Sequence, residues 1–173
     1  MSQQAPGKGM GRIFMIVAWC AGLYLATQFF GRVEQRQQNP NTEVASQQGK
    51  GYIEVTLRGN VQGHFVASGR INNVPVEFLL DTGATDVAVP QELARQLALP
   101  RGAAVTLNTA NGRVQGYRTQ IDRLQLGAIV LRDVRAVAVP GLEGEQVLLG
   151  MSALNKLEFT QRDGTMLLRQ TTN

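Results

Sequence analysis

The segment Phe78-Leu79-Leu80-Asp81-Thr82-Gly83-Ala84-Thr85 puts a carboxylate directly behind an apolar run. An ionised group in that position loses hydration, which is costly unless hydrogen bonds or a chemical task compensate it. Glycine two positions later lets the chain turn sharply and lets backbone amides approach the carboxylate. The Thr82 hydroxyl can brace the same loop. These residue types predict an aspartate at the end of a rigid strand, partly desolvated and hydrogen-bonded, which suits general acid/base chemistry. An ordinary strand-ending turn uses the same residues, since Asp and Gly are common in turns. Asp-Thr-Gly alone should arise by chance in roughly a few per cent of chains this long. The apolar triplet in front of it lowers that by more than about tenfold, which decides for the functional reading.

Other hydrolytic chemistries are poorly supplied. The chain has one histidine, His64, and one cysteine, Cys20. A histidine-based triad or a two-histidine metal motif would have to use His64 alone, and one cysteine excludes an internal disulfide or a multi-cysteine zinc site. No metal or other cofactor is expected. From Lys50 onward 13 basic and 11 acidic residues leave only +2 of the formal +4, and the arginines are scattered singly. Nucleic-acid binding would need them clustered on one face, so no nucleic-acid partner is expected.

The elements that would position Asp81 are mostly strands. Ile53, Val55 and Leu57 alternate with polar residues, as do Val74, Val76, Phe78 and Leu80 with their neighbours, which is the period of a half-buried strand. Asn111-Gly112 between 105–110 and 113–120 reads as a hairpin turn, because both positions tolerate positive φ. Residues 129–139 and 165–169 supply further strands, and Asp163-Gly164 reads as a second hairpin turn. Helical signals are short, at 91–97 and 152–157. A mostly β domain over 51–173 follows.

Ahead of it, Ile13 to Gly31 is a 19-residue run without a charge, between Arg12 and Arg32. As a helix it would rise about 28 Å, close to the hydrocarbon thickness of a bilayer. A cleavable signal peptide would usually have a shorter apolar region and a small-x-small site, which Thr27 to Gly31 lacks, and a buried core helix would show a polar face. The expected organisation is a tail over 1–12, a transmembrane anchor over 13–31 and a flexible, glutamine-rich linker over 32–50. Lys8, Arg12 and the amino terminus precede the span and Arg32 and Arg36 follow it, which leans toward a cytoplasmic amino terminus.

Phe-Leu-Leu-Asp-Thr-Gly-Ala-Thr resembles the active-site segment of retroviral-type aspartic proteases. Val147-Leu148-Leu149-Gly150 is similar to the second signature of that family, and the Asn111-Gly112 hairpin falls where such proteins carry the flap that closes over substrate. The arrangement also resembles a bacterial, membrane-anchored subgroup in which Gly63-His64-Phe65 is read as structural. The resemblance implies a single-lobe retropepsin-like β-barrel with one or two short helices, preceded by one transmembrane helix. It implies Asp81 as catalytic residue, Thr82, Gly83 and Ala84 as its loop, and Asn111 and Gly112 as flap and substrate-binding residues. Leu148, Leu149 and Gly150 are the second signature. The implied setting is the bacterial inner membrane, with the protease domain periplasmic. An internal echo, Val74 to Gly83 against Val134 to Gly150, suggests a lobe built from two related β units with the acid kept once.

Peptide hydrolysis of this kind needs two carboxylates sharing one proton, because held about 3 Å apart they cannot both ionise. One acts as base toward water and the other as acid toward the carbonyl oxygen. The sequence has no second Asp-Thr-Gly or Asp-Ser-Gly, and Asp86 reads as a surface or loop-bracing carboxylate. The expected enzyme is therefore an aspartic endopeptidase homodimer acting on a peptide or protein, with one Asp81 from each chain and residues 13–31 in lipid. The alternative is a catalytically silent peptide-binding or dimerisation module of the same fold at the membrane.

Overall fold

The computed structural model describes residues 8–109, 112–142 and 146–172. The chain divides into two compact units, one ending at Gln37 and the other beginning at Gln38. Helix α1, Lys8–Gln38, forms the first unit up to Gln37, and its apolar side chains Ile13, Phe14, Trp19, Leu23 and Phe30 are all exposed. A helix that is apolar on every side suits a membrane span, and α1 is long and apolar enough to cross one. It runs past the expected span to Gln38. Glu, Gln and Arg are good helix formers, and extending an existing helix needs no new nucleus, so residues 32–38 continue it rather than starting a linker.

Among the described residues the second unit contains eleven strands and two short helices. Strands β1 (Ala45–Gly49), β2 (Tyr52–Arg58), β10 (Glu158–Arg162) and β11 (Thr165–Thr171) form an antiparallel sheet in the order β1-β2-β11-β10. Strands β3 (Val66–Ile71), β4 (Val74–Leu80), β5 (Val87–Pro90), β6 (Ala104–Thr109), β7 (Gly112–Leu126), β8 (Ile129–Val139) and β9 (Gln146–Leu149) form the other, in the order β3-β4-β9-β5-β8-β7-β6. Arg70 and Ile71 of β3 also pair with Gln125 and Leu124 of β7, which closes six strands into a barrel and leaves β6 attached outside. Helices α2 (Gln91–Gln96) and α3 (Met151–Leu154) complete the unit. Phe78, Ile71, Ile121, Leu124 and Leu149 fill the barrel, and Val55, Leu57, Met166 and Leu168 of the four-stranded sheet join the same core. The alternation seen in the sequence is thus the inward face of each strand.

The expectation of a flexible linker over 32–50 is corrected here. Ala45 to Gly49 pairs along its whole length with β2, from Ala45 opposite Thr56 to Gly49 opposite Tyr52. Asn41 is buried, its Nδ2 donating to the carbonyls of Arg58 (2.8 Å) and Val66 (2.7 Å) and its Oδ1 accepting from the Arg58 amide (2.8 Å). It therefore stitches the end of β2 to the start of β3. Asn39 is buried beside it and donates to Glu77 Oε2 at 2.8 Å. Composition points to disorder where little apolar surface can be buried, but backbone pairing and side-chain amides order this segment instead.

Asn41→Ala removes three hydrogen bonds at once and leaves the groups of Arg58 and Val66 without those partners. The expected loss is about 3 kcal/mol, read as a melting temperature roughly 10 °C lower for a unit of this size. A shift of the full chain within the error of wild type would show that water replaces the amide.

Candidate active site

Asp81 follows directly on β4 and is half-buried, while Thr82 and Gly83 are exposed. Its backbone N–H donates to the Leu149 carbonyl at 3.2 Å, because β4 and β9 run parallel with Leu79 opposite Leu148 and Leu80 opposite Leu149. The Gly83 amide donates to Asp81 Oδ1 at 2.8 Å. A side chain at 83 would set its Cβ 3.1 Å from that same oxygen, so glycine serves the close approach of amide to carboxylate. The Thr82 hydroxyl has no partner among the described residues of this chain. The brace expected from threonine is supplied by the carboxylate itself.

The second signature is the floor of this loop. A Cβ at Gly150 would lie 2.3 Å from the Asp86 carbonyl and 2.7 Å from that of Ala84. The amides after it, Met151 and Ser152, donate to the carbonyls of Ala84 (2.8 Å) and Thr85 (2.9 Å). Ser152 Oγ accepts from the Val87 amide at 3.0 Å and donates to the Arg135 carbonyl at 2.7 Å. The echo noted in the sequence corresponds to β4 and β9 lying side by side, each ending in a turn that grips the other. Asp86 turns toward Arg135 Nη2 at 3.5 Å, its Oδ1 otherwise unpartnered among the described residues. Asp163 and Gly164 are the positive-φ turn joining β10 to β11, as expected.

The hairpin of β6 and β7 pairs from Ala104 opposite Tyr117 to Thr109 opposite Gly112. Gly112, with φ of 106°, is thus the first residue of β7 rather than a turn centre, a conformation open to a residue without a Cβ. Asn111 lies outside the described residues. Val105, Leu107 and Val114 of the hairpin pack with Leu142 and Leu148 on buried Ala88, Val137 and Val139. Strand alternation gives Asp81 the same side of β4 as Leu79, away from Phe78 and the main core. Leu79 is the register partner of Leu148, so the half-buried apolar cluster and the carboxylate share a face. Sequence reasoning identified no such wall; its one signal was the alternation of Val105 and Leu107 in β6.

Gly63-His64-Phe65 also borders the loop. The Phe65 carbonyl accepts from the Leu80 amide at 2.9 Å, and Phe65 is buried. His64 is exposed, its amide donating to Asn60 Oδ1 at 2.9 Å. Among the described residues no cluster of His, Cys, Asp and Glu is placed to hold a metal ion.

Residues 67–156 match the family described as "gag-polyprotein putative aspartyl protease". An uncharacterized protein in the cobV 5′ region of Sinorhizobium sp is 33% identical over 115 residues, 65% of this chain and 49% of that protein. An uncharacterized protein of Rickettsia prowazekii is 28% identical over 118 residues, 66% of this chain and 50% of the other. The chain thus spans about half the length of these relatives. The crystal structure of a retropepsin-like aspartic protease from Rickettsia conorii superposes with a TM-score of 0.60 at 22% identity, covering 75% of this chain and 97% of that one. The family match runs from β3 to just past α3 and so takes in both the Asp81 loop and the Gly150 floor. On these grounds the chain belongs to the retropepsin-like, gag-type aspartyl protease family.

Proposed function

We propose that the chain is an aspartic endopeptidase whose site is completed by two copies, each contributing Asp81. The observation that carries this reading is the Asp81 loop, pinned from beneath by Leu149 and Gly150 while the loop itself stays exposed. Among the described residues no second carboxylate joins it: Asp86 turns to Arg135 and Asp163 sits in a distant turn. Two Asp81 carboxylates sharing one proton would divide the work, one taking a proton from water and the other giving one to the carbonyl oxygen. Thr82 and Gly83 would then lie at the two-fold axis. The wall of Val105, Leu107, Val114, Leu142 and Leu148 supports a peptide with apolar side chains beside the scissile bond, bound in extended form under the hairpin.

We further place α1 across the bacterial inner membrane with the folded unit periplasmic. The length and apolar surface of α1 support an anchor, and anchoring two copies in one bilayer would raise their effective concentration.

The test is a dilution series of the full chain in neutral detergent, with an apolar peptide substrate. Specific activity should fall as the protein is diluted, since a lone chain holds half a site. A tenfold excess of Asp81→Asn chains should lower wild-type activity to about a tenth, because mixed pairs carry one carboxylate. Constant specific activity from a protein shown by sedimentation to be monomeric would overturn the two-chain site.

A further inference from the structure

The four-stranded sheet sets acids opposite bases. Arg169 of β11 lies in register between Glu54 of β2 and Glu158 of β10, and its Nε donates to Glu54 Oε1 at 2.7 Å. Strands β7 and β8 do the reverse, with Arg123 directly opposite Arg132. Like charges so placed on a sheet face repel and destabilise it. A third cation joins them: Lys156 Nζ donates to the carbonyls of Arg132 (2.6 Å) and Asp133 (3.2 Å), which holds the ammonium against β8. The three side chains line one open cavity of about 520 Å³, together with Gln170 and Thr171.

Among the described residues no carboxylate lines this cavity, and none of the three cations forms an ion pair. Asp122 and Asp133 are not among the residues lining the cavity, and the Asp133 carboxylate accepts from Gln120 Nε2 at 3.5 Å. The Gln170 amide is spent on β8, donating to the Val130 carbonyl at 2.7 Å and accepting from its amide at 3.2 Å. Arg123 uses Nη1 on Asn73 Oδ1 at 2.9 Å, which fixes the side chain and leaves other guanidinium donors for a ligand. Three cations lining one cavity, two of them held by hydrogen bonds and all with spare donors, describe an anion receptor, and guanidinium forks match phosphate oxygens.

We propose that this cavity binds a phosphate-class anion, held by Arg123, Arg132 and Lys156. The anion relieves the repulsion between Arg123 and Arg132. The chemistry fits a soluble phosphate or the phosphate of an anionic lipid headgroup, and the test separates these sources. The full chain in a maltoside detergent is melted with increasing inorganic phosphate, and separately with increasing phosphatidylglycerol in the micelle, each against chloride of matched ionic strength. At least one arm should raise the melting temperature saturably, and added salt should weaken the effect. A rise with phosphate alone identifies a soluble ligand, and a rise with the lipid alone identifies a headgroup. Arg132→Gln and Lys156→Gln should each weaken the response at least tenfold. Without anion, Arg132→Gln should melt at or above the wild-type temperature, since it removes the like-charge pair. No saturable rise in either arm, an undiminished rise in both variants, or a lower basal melting temperature for Arg132→Gln would overturn the proposal.

Discussion

Asp81→Asn is expected to lower peptide hydrolysis by at least about a thousand-fold while leaving the folded unit intact, the scale on which positioned acid/base groups act. The amide oxygen can still accept from the Gly83 amide, which donates to Asp81 Oδ1 at 2.8 Å in the native loop. The Asp81 amide and the Leu149 carbonyl that pin the loop are backbone groups and do not change. What is lost is the capacity to take a proton from water at one position and return it at the other. In the proposed two-chain site both carboxylates would disappear together in this variant, so the loss should appear in kcat rather than KM. The measurement is steady-state hydrolysis of an apolar peptide beside a thermal melt of the same preparation. Activity within tenfold of wild type, from a protein that melts normally, would remove Asp81 from catalysis. It would favour the silent, peptide-binding reading of the fold.

Gly150→Ala should give the second largest effect, and by a different route. A methyl group there would meet the carbonyls of Asp86 and Ala84 at 2.3 and 2.7 Å, and backbone cannot swing aside as a flexible side chain can. The strand end must move, and with it the amides of Met151 and Ser152 that hold Ala84 and Thr85. Overpacking of this kind costs about 3 kcal/mol, a melting temperature roughly 10 °C lower. Activity at a temperature where the variant is still folded should fall about a hundred-fold, because a displacement near 1 Å at the loop misplaces the carboxylate. A variant equal to wild type in both respects would mean that the floor of the loop is softer than its contacts imply.

The parts of this molecule that could be read from sequence were those where side-chain chemistry and backbone geometry coincide. Phe78 to Gly83 carries its own signal, because an apolar run ending in Asp-Thr-Gly has few other uses. Strands β2 and β4 were visible through alternation, since each turns one face to the core, and β6 and β7 through the hairpin signal between them. Strand β3 was hidden because Gly69 interrupts its pattern: a side chain there would meet the Gln125 carbonyl and the Phe78 ring, so glycine is kept where two neighbours press in. Strand β10 is exposed at all five positions and β1 at four of five, so neither presents an apolar period. Asn39 and Asn41 were read as tether because composition cannot show that an amide will find three backbone partners. The apolar wall on the Asp81 face joins residues from three strands and a loop, and no local window contains it.

The four-stranded sheet also sets a clock. Strand β2 begins at Tyr52, yet its inner partner is β11, which pairs Tyr52 with Thr171 and Arg58 with Thr165. Until residues 165–171 have been made and released from the ribosome, β2 lacks the neighbour that covers one of its edges, and Val55 and Leu57 lack Met166 and Leu168 beside them. Closing so long a stretch of chain comes late and slowly. A nascent copy therefore carries Asp81 on an unfinished scaffold until β11 follows it. If the proposed activity holds, delay of this kind would keep the cutting site unformed until β11 has left the ribosome.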